Sequence, residues 1–288
     1  MGNVVMRLGV HCSVGKGLQN TIKEAVSLGC ETIQIFSRSP RSWGRKEFDL
    51  KEVEEFKRSL KENNIFPLVV HMLYLPNLAS ADKNLYKRSV DVLIDELNRC
   101  KILGAKYLVV HPGRYSTGDF ETGIKNIIKA INFAFLKARN ETIILLENLA
   151  GGKTDIGWRF EELHRIIENV ADKKRIGVCL DTAHLFGAGY DVSKKGFDNT
   201  INEFDRIVGL KYLRFLHIND SINERGSKID RHMHIGQGYI GIEGFRAVLN
   251  HPKIKNLPGI IETPRMRKDL IKDKKNLIIL RKLMKKTK

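Results

Sequence analysis

Short apolar runs alternate along the chain with longer segments whose apolar residues recur at helical spacing. The runs at 6–11, 32–36, 67–71, 107–111, 143–147, 176–181, 213–217 and 259–262 read as strands. Between them, Leu50-Val53-Phe56-Leu60 and Val90-Leu93-Ile94-Leu97 repeat every three or four residues, which places them on one face of a helix. Gly29 and Gly104 fall between such a segment and the next run, where a helix stop belongs. Eight strand–helix units in 288 residues average about 36 residues each, the size of a βαβ unit. Strict alternation calls for a parallel sheet with helical crossovers, and eight is the number of units that closes. No Pro-, Gly- or Ser-rich stretch divides the chain. The expected fold is therefore α/β, a (β/α)8 TIM barrel forming one domain over 1–288. An open doubly wound sheet usually has fewer units and a Gly-x-Gly-x-x-Gly first turn, which Ser13-Val14-Gly15-Lys16-Gly17 does not supply.

Composition narrows the function classes. With 42% hydrophobic and 29% charged residues the chain has material for a core, which excludes intrinsic disorder and collagen-like structure. No apolar run approaches the roughly 18 residues a bilayer needs, so no membrane association is expected. The N-terminus lacks a basic start followed by an apolar stretch, and Met6 stands where a myristoylation signal wants Ser or Thr. Cys12, Cys30, Cys100 and Cys179 are scattered with no Cys-x-x-Cys pair, which argues against a disulfide framework or zinc ribbon and suits a reducing cytoplasm. Lys and Arg total 50 against 33 Asp and Glu, a net +17. That excess attracts a polyanion such as nucleic acid; the bland alternative is a lysine-coated surface that serves solubility alone.

The chemistry lies in what ends each strand. From the third onward they finish on His71, His111, Glu147, Asp181, His217 and Glu262, spaced 34 to 45 residues apart. One βα unit separates each pair, so each side chain falls at the C-terminal rim, where catalytic groups of such barrels converge. A single strand-end histidine is usually structural; six successive His or carboxylate ends are hard to reach by chance. His184 follows Asp181 by one helical turn, and Asp230 and His232 alternate around Arg231, so they point the same way on extended backbone. Five imidazoles and four carboxylates without thiolate suit Zn, Mn or Fe rather than Mg or Ca, and nine donors suffice for two or three ions. Clustered divalent ions in a basic protein suggest phosphoryl chemistry, because paired ions stabilise the attacking and leaving oxygens of an in-line displacement.

At these residues the chain resembles the endonuclease IV family of apurinic/apyrimidinic endonucleases, nearly end to end. The resemblance rests on His71, His111-Pro112-Gly113, Leu146-Glu147-Asn148, Asp181-Thr182-Ala183-His184, His217-Ile218-Asn219-Asp220, Asp230-Arg231-His232 and Glu262-Thr263-Pro264. It implies three zinc ions in an α/β barrel, with Mn as a possible substitute. His71 and His111 would hold the first, Glu147 would bridge to the second, and Asp181, His217 and Glu262 would complete that one. His184, Asp230 and His232 would hold the third. The implied reaction is hydrolysis of the phosphodiester 5′ to an abasic site in double-stranded DNA, leaving a 3′-hydroxyl and a 5′-deoxyribose phosphate, and also trimming of blocked 3′ ends. A metal-bridged hydroxide would attack phosphorus in line, with Glu147 as the catalytic carboxylate. A monomer is expected.

DNA contacts are expected from rim loops. The segment Arg38-Ser39-Pro40-Arg41-Ser42-Trp43-Gly44-Arg45-Lys46 is basic with an embedded aromatic, and Arg41 is its candidate phosphate contact. Tyr74-Leu75 after His71 matches the family's wedge into the duplex, and Gln34 is expected on the same rim against the sugar–phosphate backbone. Met72 and Gln237 depart from the polar or acidic residues common in relatives. His251 is expected at an exposed helix end, and 269–288 as a basic amphipathic helix closing the barrel. The rival within enzymes is a sugar isomerase or epimerase on a similar barrel, which needs one or two ions and a proton-shuttling base rather than five metal-binding histidines. A non-catalytic nucleic-acid-binding barrel would tolerate lost ligands, and none is missing.

Overall fold

The computed structural model describes residues 6–115, 118–264 and 270–285. Eight parallel strands close a barrel: β1 (Leu8–Cys12), β2 (Thr32–Phe36), β3 (Leu68–His71), β4 (Tyr107–Val110), β5 (Ile143–Glu147), β6 (Ile176–Asp181), β7 (Leu213–His217) and β8 (Gly259–Ile261). Each pairs with its predecessor in the chain, and β8 returns to β1 with Leu8 opposite Gly259. The expected (β/α)8 TIM barrel is the observed one.

Helices α1 (Leu18–Leu28), α2 (Leu50–Glu62), α3 (Lys83–Leu103), α4 (Phe120–Ala138), α5 (Phe160–Asn169), α6 (Thr182–Ala188), α7 (Phe197–Ile207), α8 (Gly241–Asn250) and α9 (Leu270–Leu283) connect and surround the strands. Gly29 and Gly104 stop α1 and α3 in the left-handed conformation, where a Cβ is costly. Residue 269 and residues 286–288 of the expected last helix lie outside the described residues, as does the Met1-Gly2 start; 270–283 is helical.

Alternation along the strands sets what the barrel contains. Val69, Tyr107, Val109, Leu145, Cys179, Phe215 and Ile260 point inward and pack as one cluster. Their neighbours Val70, Leu108, Val110, Ile144, Leu146 and Val178 belong to the larger layer between sheet and helices. The lumen is thus a packed plug, and polar chemistry is confined to the mouth above it.

Two strands end one residue earlier than their sequence pattern suggests. Pro112, with no N–H to give a ladder, follows His111, and β4 stops at Val110. The backbone N–H of Glu262 donates to Asn219 Oδ1 at 2.7 Å instead of to a neighbouring strand, so β8 stops at Ile261.

Beyond the barrel, Asp220–Ser221 pairs antiparallel with His232–Met233, folding the long loop after β7 back over the mouth. Asp220 is fully buried and accepts from the backbone N–H of Gly236, Gly238 and Ile240 at 2.9 to 3.0 Å. Those three bonds pin the return of the loop that carries Asp230 and His232.

Candidate metal centre

Strand ends deliver most of the candidate ligands to one place. Three groups of ligand atoms each lie within 4.8 Å of one another: His71, His111 and Glu147; Glu147, Asp181, His217 and Glu262; and Asp181, His184 and His232. Glu147 joins the first two. Its Oε2 lies 3.1 Å from His71 Nε2 and 3.0 Å from His111 Nε2, while Oε1 lies 2.9 Å from His217 Nδ1. Asp181 joins the last two, with Oδ2 3.8 Å from His217 Nδ1 and 3.7 Å from His232 Nε2. Asp230 reaches in from its loop, Oδ1 standing 3.1 Å from His184 Nε2 and 3.3 Å from His232 Nε2. All nine residues singled out for metal in the sequence therefore meet at the barrel mouth.

The histidines are held in defined orientations. His71 Nδ1 donates to the Met72 carbonyl (2.6 Å), His184 Nδ1 to the Asn148 carbonyl (2.9 Å) and His232 Nδ1 to the Glu262 carbonyl (3.1 Å). In the neutral ring each such bond takes the proton on one nitrogen and leaves the lone pair of the other turned toward carboxylates, the arrangement that metal-ligating imidazoles use. Nε2 of His184 and of His232 is shut off from solvent and has no hydrogen-bond partner of proper geometry. Two buried ring nitrogens converging on the same carboxylate oxygen need a cation between them, a proton in the metal-free protein or a metal ion.

Electrostatics argue the same way. Glu147 and Asp181 are fully buried and Glu262 is 14% exposed at the side chain. Two like charges 4 Å apart repel by about 4 kcal/mol at an effective dielectric of 20, so the cluster needs positive charge. Burial pushes the Glu147 carboxyl up, but His217 and His111 outweigh it and hold it well below the usual carboxylate range. Burial pulls the imidazoles down, yet the carboxylates win. His184 and His217 stand well above their ordinary value, and His232, facing Asp181 and Asp230, is pushed up to about 9. Without cations, protons on these rings balance the carboxylates. Divalent ions with a nitrogen and oxygen preference fit the same donors, and the clusters are capable of binding them.

The rim residues divide. Arg41 is exposed on the loop after β2. Tyr74 is 59% exposed, beside the His71 and His111 rings at 5.7 and 6.1 Å, and Leu75 is half-buried next to it. His71, Tyr74, Leu75, His111 and Asp230 line a groove of about 480 Å³ over the cluster. Arg38 and Arg45, counted in the basic loop, are engaged: Arg38 is buried against Glu96 and Asp95, and Arg45 pairs with Asp95.

Gln34 is a correction. It is not on the DNA-facing rim but fully buried, because Ile33 and Ile35 take the helix side of β2 and turn it into the lumen. There its amide bridges His217 and Glu262. His251 is a second correction, buried at 6% with Nε2 3.1 Å from Asp198. Two further residues escaped the sequence reading. Asn148 Oδ1 accepts from Asp181 N at 2.7 Å, and Asn219 Nδ2 donates to Asp181 Oδ2 at 2.6 Å. Each follows a strand-end ligand by one or two positions, which was the available signal.

Comparison with known proteins agrees with this geometry. The family described as xylose isomerase-like TIM barrel, the type 2 AP endonuclease family, matches residues 22–286. A probable endonuclease 4 of Halothermothrix orenii is 44% identical over 261 residues, covering 90% of this chain and 94% of that protein. The crystal structure of endonuclease IV from Thermus thermophilus superposes with a TM-score of 0.85 at 37% identity, covering 96% of this chain and 98% of that one. A D-tagatose 3-epimerase-like protein superposes at 0.72 with 20% identity, a likeness of fold alone. Full-length identity of this order to endonuclease 4 proteins places the chain in the endonuclease IV family of AP endonucleases, as a nuclease.

Proposed function

We propose that this protein is a zinc-dependent apurinic/apyrimidinic endonuclease of base excision repair. It hydrolyses the phosphodiester 5′ to an abasic site, leaves a 3′-hydroxyl and a 5′-deoxyribose phosphate, and also removes blocked 3′ ends. The observation that carries this reading is the set of three ligand groups linked through Glu147 and Asp181 at one barrel mouth. His71, His111 and Glu147 would hold one zinc, Glu147, Asp181, His217 and Glu262 a second, and His184, Asp230 and His232 a third. When bound, the ions supply Lewis acidity toward a phosphodiester and toward the water that attacks it.

The chain's own groups do the rest. Glu147, buried at the floor of the site between the first two ligand groups, would accept the proton of the attacking water. Tyr74 and Leu75, beside the groove, enter the duplex where a base is missing and unstacking costs least. Arg41 and the +17 charge hold the phosphate backbone. The protein acts as a monomer in the cytoplasm, a compartment that suits four free, buried cysteines. Among the described residues no helix is long and apolar enough to cross a membrane.

The test is incision of a duplex carrying one tetrahydrofuran abasic analogue, with elemental analysis of the purified protein. Cleavage on the 5′ side with about three zinc per chain is expected. Cleavage elsewhere, or sugar isomerisation without incision, would overturn the reading.

A further inference from the structure

We infer that Gln34 is a positioning residue for the metal centre: it fixes the tautomer of His217 so that Nδ1 is the metal-binding nitrogen. The inference rests on the proposed zinc reading and carries it one shell outward. Gln34 is fully buried on β2, three strands around the barrel from β7. Its Nε2 donates to Glu262 Oε1 at 2.6 Å and points its second hydrogen at His11 Nδ1 at 3.0 Å. Its Oε1 lies 2.8 Å from His217 Nε2.

The amide has only one workable orientation. Reversed, its oxygen would sit 2.6 Å from a carboxylate oxygen of Glu262, a buried contact between two acceptors with no proton to share. With Nε2 committed to Glu262, Oε1 must face His217, and an acceptor there demands a proton on His217 Nε2. The lone pair of a neutral His217 is then on Nδ1, which faces Glu147 Oε1 at 2.9 Å, Glu262 Oε2 at 3.2 Å and Asp181 Oδ2 at 3.8 Å. One amide thereby orients two ligands of the same site, a histidine and a carboxylate. His71, His184 and His232 are oriented by backbone carbonyls, which no substitution removes; His217 alone of these four depends on a side chain.

Two measurements test this on the full-length protein. In the zinc-loaded wild type, nitrogen-15 NMR of labelled histidine should find the His217 proton on Nε2; a proton on Nδ1 overturns the inference without any variant. Gln34→Leu, similar in size but without the acceptor, should weaken zinc at this site by about 10–100-fold. In chelator titration followed by elemental analysis it should release one zinc equivalent ahead of the others. Wild-type retention in a folded Gln34→Leu protein overturns the inference and leaves the zinc reading standing. A wild type that binds no zinc overturns both.

Discussion

Asp181 caps the helix that carries His184. Its Oδ1 accepts from the backbone N–H of Ala183 at 2.7 Å and of His184 itself at 3.0 Å, while Oδ2 is turned toward His217 and His232. One carboxylate thus divides its two oxygens between folding and the site. Asn caps helices about as well as Asp, whereas Ala costs about 1 kcal/mol. In Asp181→Asn, however, the new amide NH2 would meet the Asn219 Nδ2 donor now 2.6 Å from Oδ2, so the cap is tested by Asp181→Ala. That variant should lose at least about 1 kcal/mol in urea denaturation of the metal-free protein, and both variants should fail to incise abasic DNA. Wild-type stability of Asp181→Ala would show that the cap contributes nothing; wild-type incision by Asp181→Asn would remove Asp181 from the proposed ligands.

Protons and metal compete for the same nitrogens, and this gives the pH dependence a sign. The His232 imidazole rises from 6.5 to about 9 through Asp181 and Asp230, against burial and the neighbouring His184. A raised histidine contributes stability that is complete below about 6.5 and is lost as pH climbs through about 9. The metal-free protein should therefore become easier to unfold between those limits. Zinc requires bare imidazole, so its binding should tighten over the same interval and reverse the trend in the loaded protein. Denaturation midpoints at both ends of the interval, with and without zinc, check this. Metal-free stability that rises with pH would contradict it.

Much of this centre was readable because a closed parallel barrel converts position into direction. The last residue of a strand faces the mouth, so His71, Glu147, Asp181 and His217 could be placed from spacing alone. Gln34 obeys the same rule one position deeper: in Ile33-Gln34-Ile35 the isoleucines take the helix layer, which turns the amide inward rather than to the DNA-facing rim. Arg38 adds to the basic look of its loop, yet its charge is spent on Asp95 and Glu96, which lie 57 and 58 residues away on α3. No local pattern announces a partner at that distance. The role of Asp220 in pinning the loop after β7 was hidden for the same reason, since its acceptors serve backbone N–H groups 16 to 20 residues on.

Glu96 holds the base of the loop that presents Arg41. It is 1% exposed, accepts from Ser37 Oγ and Arg38 Nε at 2.6 Å each, and lies beside Arg99, which donates to the Lys46 carbonyl at the loop's far end. Removing Glu96 takes the acceptor from buried Arg38 Nε and Ser37 Oγ at a cost of about 1–3 kcal/mol, while Asp95 still balances part of the Arg38 charge. Glu96→Ala should lose stability in that range by chemical denaturation while retaining its zinc. A loss under 1 kcal/mol would mean that Arg38 finds water or another partner.

Arg41 and Leu75 should fail in different ways. Arg41 is exposed, and a phosphate contact made there releases a counterion regardless of sequence or lesion. Arg41→Ala should weaken intact and abasic duplex alike and lower the slope of log affinity against log salt by about 1. Leu75 is half-buried beside exposed Tyr74, so it meets DNA only if the stack opens. Opening costs a few kcal/mol in intact duplex and less at a missing base. Leu75→Ala should therefore reduce affinity for abasic duplex, leave intact duplex unchanged and keep the salt slope of the wild type. Affinities of both variants for both duplexes across a salt series make the comparison. If Leu75→Ala weakened the two duplexes equally, its side chain would be acting as general surface contact and the wedge assignment would fall.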